Sequence, residues 1–261
     1  MHNDNSNGTR IIALCGKGGV GKTSISALIT KILVAQKDKK VLAIDADPAV
    51  GLATALGIEV SKTVDDIRND LIRQIDGKEG VDRQELLSWI DYEMLTAIEE
   101  HQNLGFLAIG RPEKEGCYCQ INHILKDIIA STASQFDYVV IDGEAGVEQV
   151  NRRVMEKVTH LVLVSDQSKK GIQVTKTILD VSDEAIDYES SGLILNKIRS
   201  QEEADEIYVP EELTRIGWVP ETDDIRRFDM EGRSVLEMPE SEMIMAVQSC
   251  MEKMGIIKEA N

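Results

Sequence analysis

Eight residues near the N-terminus, Gly16-Lys17-Gly18-Gly19-Val20-Gly21-Lys22-Thr23, restrict what this chain can become more than any other stretch. Two glycines five apart, then Lys and Thr, form the pattern of a phosphate-binding loop. Ile11-Ile12-Ala13-Leu14-Cys15 ahead of it is an apolar run of strand length, and Thr23 to Gln36 behind it has helical spacing without proline. Strand, glycine loop and helix start, in that order, gather backbone N–H groups and the positive end of a helix around one anion. In such a loop Lys22 reaches the β- and γ-phosphates of a nucleotide, and the Thr23 hydroxyl ligates Mg²⁺. A glycine-rich turn that binds nothing seldom carries both. Lys17 is surplus, since cradling a phosphate does not require it.

Five further apolar runs follow, separated by helical stretches: Val41 to Ile44, Leu104 to Ile109, Tyr138 to Ile141, Leu161 to Val164 and Leu193 to Leu195, with Arg215 to Val219 as a weaker seventh strand. Continuous apolar runs suit strands buried on both faces, as in a parallel sheet covered by helices. The expected fold is α/β: a doubly wound, mostly parallel sheet of about seven strands, with residues 10–261 forming one domain. Residues 1–9 are polar and read as a disordered tail rather than a signal peptide. Gln201 to Glu212 is acidic and reads as an irregular surface excursion. Glu242 to Ile257 is amphipathic. Its polar residues include Glu242 and Glu252 rather than a basic face, which favours packing against the sheet over a membrane surface.

Several strands end in a polar side chain: Asp45, Asp142, Ser165 and Asn196. Ligands of open parallel sheets sit beyond the carboxyl ends of the strands, so these groups share an edge with the glycine loop. In Asp45-Ala46-Asp47-Pro48 a carboxylate would hold the metal through water or orient a water on the γ-phosphate; the alternative is that one of the pair caps the following turn. In Asp142-Gly143-Glu144-Ala145-Gly146 the first carboxylate would support Mg²⁺, and the glycines would let the loop move with the γ-phosphate. Asn196-Lys197 lies where a base would be read. A guanine reader of the form Asn-Lys-x-Asp needs Asp at 199, where Arg199 stands, so adenine is favoured.

Of four cysteines, Cys15 and Cys250 sit in apolar stretches and read as packed and inert, while Cys117 and Cys119 flank Tyr118. Four scattered cysteines make no disulfide framework, which points to the cytoplasm. Thiols two residues apart bridge poorly to each other but can share one metal, Zn²⁺ or Ni²⁺ by softness. Either His123 and another group complete the site, or a second copy brings the same pair across a two-fold axis; plain burial or oxidation is the alternative. A net charge of −17 argues against nucleic acid as partner. No apolar run is long enough to cross a membrane.

Together these residues resemble the deviant Walker A loop and both switches of the MinD/ParA/nitrogenase-iron-protein group of ATPases. Gly110 to Cys119 and Glu144-Ala145-Gly146 are similar to the CooC-type maturation ATPases within that group. The resemblance implies slow, Mg²⁺-dependent hydrolysis of ATP to ADP and assistance to nickel insertion into carbon monoxide dehydrogenase or acetyl-CoA synthase. It makes Lys17 the signature lysine that reaches the partner's phosphates in an ATP-bound homodimer, and Asp47 the water-orienting residue. It makes Cys117 and Cys119 metal ligands at the dimer interface, and Asn196 an adenine contact. The rival readings are a MinD/ParA-like nucleotide-switched regulator or scaffold and a nitrogenase-iron-protein-like electron donor, whose cysteines are widely spaced.

Overall fold

The apolar runs become strands whose carboxyl ends line up. A computed structural model of the chain describes residues 8–75, 83–111, 119–143, 154 and 157–258. The strands are β1 (Arg10–Cys15), β2 (Val41–Asp45), β3 (Glu99–His101), β4 (Leu104–Ala108), β5 (Tyr138–Asp142), β6 (His160–Ser165), β7 (Ser190–Ile198) and β8 (Arg215–Pro220). They form one sheet in the order β3-β4-β2-β5-β1-β6-β7-β8. All neighbours pair in parallel except β3, which runs antiparallel to β4. Leu14 lies opposite Asp142, and Asp142 opposite Asp45, so the polar strand ends converge where β1 runs into the glycine loop.

Helices α1 (Lys22–Val34), α2 (Gly51–Leu56), α3 (Val64–Ile75), α4 (Arg83–Thr96) and α5 (Cys119–Ala133) fall in the first half of the chain. After β6 come α6 (Lys169–Ala185), α7 (Gln201–Glu206), α8 (Asp224–Met230), a short 3₁₀ turn (Val235–Glu237) and α9 (Glu242–Lys253). Side chains alternate across each strand, and the sheet therefore carries two apolar layers. Ile12, Leu14, Ala43, Phe106 and Val140 pack with α1, α2 and α9 on one face. Ala13, Leu42, Leu107, Val139 and Leu163 pack with α3 to α6 on the other.

Two elements differ from expectation. The sheet has an eighth strand, β3, whose Glu99-Glu100-His101 carries no apolar pattern; it exists because Gln102, at φ 58°, turns the chain back along β4. Gln201 to Glu206, read as irregular, is helix α7. The Ser200 hydroxyl accepts from the Glu203 N–H, and the Glu203 carboxylate accepts from the Arg199 N–H at 2.6 Å. This reciprocal cap offsets the acidity of the segment. At the N-terminus, Thr9 is fastened by its hydroxyl, which donates to Phe136 O at 2.9 Å; residues 1–7 lie outside the described residues. No described helix is long and apolar enough to cross a membrane.

The C-terminal helix packs as its pattern suggests. Met243, Ile244, Val247, Cys250 and Met251 are buried, and a Cβ on Gly217 of β8 would lie 2.5 Å from Cys250 Sγ, so helix and strand are in close contact. Val247 is 0% exposed and Met245 57% exposed. Val247→Asp should therefore cost about 3–5 kcal/mol as an unpaired buried charge, while Met245→Asp should stay within about 0.5 kcal/mol. Urea unfolding of the two variants checks this; an equal, small cost for both would mean that Val247 is not packed in the core.

Candidate functional site

The glycine loop is shaped by what surrounds it. A Cβ on Gly16 would lie 2.2 Å from Val164 O of β6, and one on Gly21 would lie 2.3 Å from Asn196 Nδ2 of β7. Neither position admits a side chain. Gly21, at φ 96°, caps α1 without offering a side-chain acceptor, and the first turn holds no acidic residue. The first N–H groups of the helix thus keep their capacity for an outside acceptor, which suits an anion at the positive end of the helix. Lys22 is buried, with Nζ 3.5 Å from Lys17 O; Lys17 itself is half-buried.

One carboxylate ties the loop helix to the sheet. Asp142, ending β5, accepts from the Thr23 hydroxyl at 2.7 Å and the Ser26 hydroxyl at 2.9 Å. Burial raises its pKa above the usual carboxylate range, the two hydroxyls and Lys22 oppose the shift, and the charge of Asp47 adds to it. A hydroxyl and a carboxylate on adjacent elements are the oxygen donors that Mg²⁺ takes. Ser26 escaped the sequence reading. Its only signal was a polar residue on a face of α1 otherwise rich in Ile and Leu.

The Asp45-Ala46-Asp47 pair divides its labour. Asp45 is fully buried; one oxygen accepts from the Asp47 N–H at 3.1 Å, and the other from Leu52 at 2.8 Å and Ala53 at 3.4 Å. It holds the start of α2, the capping alternative. Asp47 is half-buried and accepts from the Ala49 N–H at 2.8 Å. A Cβ on Gly51, the first residue of α2, would lie 3.5 Å from Thr23 Cγ2, so this turn is seated beside the loop helix.

Asn196 is buried, with Nδ2 donating to Val20 O at 2.8 Å and Oδ1 without a hydrogen-bond partner among the described residues. It borders a cavity of about 600 Å³ whose lining includes Thr23, Thr54, Lys197, Thr222, Arg226 and Arg233. An unpaired buried acceptor at the edge of such a cavity fits a ligand that brings a donor, as the amino group of adenine does. The segment Pro220 to Arg233, which walls the cavity, carried no motif that the sequence reading used.

Glu144, Gly146 and Cys117 lie outside the described residues, and Cys119 is described only as the first residue of α5. His123 is exposed on α5, 3.7 Å from Asp127. Among the described residues no cluster of three or more His, Cys, Asp or Glu side chains is placed to hold a metal.

Residues 9–219 match the sequence profile of the anion-transporting ATPase family. An uncharacterised ATP-binding protein of Methanocaldococcus jannaschii is 35% identical over 247 residues, 93% of this chain and 97% of that protein. The carbon monoxide dehydrogenase accessory protein of Rhodospirillum rubrum is 27% identical over 182 residues, 64% of this chain and 66% of that one. Among solved structures, the septum site-determining protein MinD of Pyrococcus horikoshii, complexed with Mg-ADP, matches with a TM-score of 0.63 and 22% identity over 94% of this chain and 95% of that one, a likeness of fold.

Burial, with the charge of Asp142 beside it, pushes the pKa of Asp45 up to about 7 from an ordinary 3.8. Between those two values the folded chain holds a proton that the unfolded chain has lost, so Asp45 favours folding at the acid end and this contribution fades as pH rises through about 7. In nucleotide- and magnesium-free protein, the stability of wild type minus that of Asp45→Asn should accordingly fall from pH 5 to pH 8. Urea unfolding across that range gives the slope; a difference that rises with pH would mean that the three N–H bonds outweigh burial.

Proposed function

This chain belongs to the anion-transporting ATPase family, and from that membership we propose that it is an ATP-driven maturation factor assisting nickel insertion into a carbon monoxide dehydrogenase or acetyl-CoA synthase. The observation that carries the reading is the junction of β2 with β4. Ile109, the residue after β4, donates its N–H to Asp45 O at 2.8 Å, and Ala108 is the register partner of Asp45. The strand leading to the Cys117/Cys119 segment is thus bonded to the strand that ends in the Asp45–Asp47 turn. A shift of that turn on ATP hydrolysis would be felt at Ile109, where the chain leaves the sheet on its way to Cys117 and Cys119. The Rhodospirillum rubrum relative, by its name, serves a carbon monoxide dehydrogenase, which supports the same assignment.

In this reading the N–H groups of Gly18 to Thr23 and the Lys22 ammonium hold the triphosphate, and Asn196 Oδ1 accepts from the adenine amine. Thr23 and, through it, Asp142 would hold Mg²⁺, which would supply positive charge to offset that developing on the phosphates. Asp47 orients a water in line with the γ-phosphorus; the new P–O bond forms as the bond to the β–γ bridging oxygen breaks, leaving ADP and phosphate. Lys17 reaches across to the nucleotide of a second copy, and Glu144 lies in the second switch that follows the γ-phosphate. The two copies bring four thiolates, Cys117 and Cys119 from each, around one Ni²⁺ or Zn²⁺. The acidic surface makes nucleic acid an unsuitable partner.

Purified protein should bind close to one Ni²⁺ or Zn²⁺ per two chains, and replacing Cys117 and Cys119 together by Ser should abolish this while ATP binding persists; a double variant that keeps its metal would place the site elsewhere. Lys17→Ala should lose the ATP-dependent shift to a dimer in gel filtration. Dimerisation with ATP but without any metal bound in either state would favour a MinD/ParA-like switch instead.

A further inference from the structure

Asn196 and Lys197 are neighbours in β7, and in a regular strand their side chains would point to opposite faces of the sheet. Here both reach the glycine loop. The register with β8 shifts between Asn196 and Ile198, leaving Lys197 unpaired in a bulge. Bulges re-aim side chains in this way. Lys197 also takes φ 63°, a left-handed conformation that a non-glycine residue keeps only when its surroundings hold it there. The result is that Lys197 Nζ donates to Gly19 O at 2.9 Å, one residue before the Val20 carbonyl that Asn196 holds at 2.8 Å. Two successive loop carbonyls are gripped by two successive residues of one strand. The bonds the loop makes within itself are long by comparison: Val20 N to Lys17 O and Lys22 Nζ to Lys17 O are both 3.5 Å.

We propose that Lys197 is a positioning residue for the ATPase. Its ammonium fixes the Gly19 carbonyl outward, so that the neighbouring N–H groups of the loop already converge on a triphosphate before the nucleotide arrives. The backbone strain at Lys197 is what aims its side chain at the loop rather than at the opposite face. The proposal rests on ATP filling this loop, and Lys197 acts through Gly19 rather than by touching the base.

The test titrates the full chain calorimetrically with Mg-ATP and with Mg-tripolyphosphate, which has no base or ribose. Lys197→Met should weaken both ligands by a similar factor, about five-fold for a charge-assisted bond near the surface. Lys197→Arg, which restores the charge and a donor, should recover most of the loss. Lys197→Gly should bind as poorly as Lys197→Met although glycine suits the left-handed backbone, and it carries the comparison if the Met variant misfolds. Weakened ATP with unchanged tripolyphosphate would overturn the proposal by assigning Lys197 to the base or ribose. Unchanged affinity for both would show that the loop holds itself. Wild type that binds no ATP would overturn the nucleotide reading beneath it. Hydrogen exchange of the loop amides in the nucleotide-free chain decides if tripolyphosphate binds too weakly to titrate: faster exchange in Lys197→Met supports the tether, and equal exchange removes it.

Discussion

The bond between the Thr23 hydroxyl and the Asp142 carboxylate, 2.7 Å long, joins the two parts that the site needs. Thr23 belongs to the loop helix, Asp142 to the middle of the sheet, and the same carboxylate holds Ser26 one turn further on. Because Asp142 lies opposite both Leu14 and Asp45, the carboxylate that meets Thr23 is flanked by the strands that lead into the glycine loop and the Asp45–Asp47 turn. A parallel sheet makes this possible. Its strands end on one side, so a single buried carboxylate can be within reach of several of them. Burying a carboxylate is costly; burial and the Asp142 charge push the pKa of Asp45 up, and burial and the Asp47 charge raise that of Asp142. A cation entering next to Thr23 would oppose both shifts.

Much of this was legible in the residues. The loop was legible at Gly16 and Gly21, which have no room for a side chain and so leave a signature, and its strand and helix through an apolar run and a helical period. The central strands were legible because burial on both faces demands unbroken apolar runs. What escaped was set by particular hydrogen bonds, near or far in sequence, rather than by an apolar period. Glu99 to His101 is a strand only through β4, and α7 depends on a reciprocal cap that overrides an acidic composition. Ser26 and Lys197 joined the site through hydrogen bonds to residues 116 and 178 positions away. The division of roles between Asp45 and Asp47 was likewise open until burial separated them. One points into the protein and holds a helix start; the other stays half in solvent, where a water can reach it.

The short strand β3 bears on how copies of this chain can meet. A free sheet edge offers a row of unpaired backbone groups to any passing strand. At this edge the row is only three residues long, and it carries Glu99, whose carboxylate is engaged by the Ser61 N–H and hydroxyl, and the exposed Glu100. A neighbour trying to extend the sheet from that side would find little to pair with and like charge against its own acidic surface. Lateral growth is thereby discouraged. Contact through the loops at the carboxyl ends of the strands meets no such edge, and in the proposed pair the nucleotide would act as the glue, making assembly reversible by chemistry rather than by dilution.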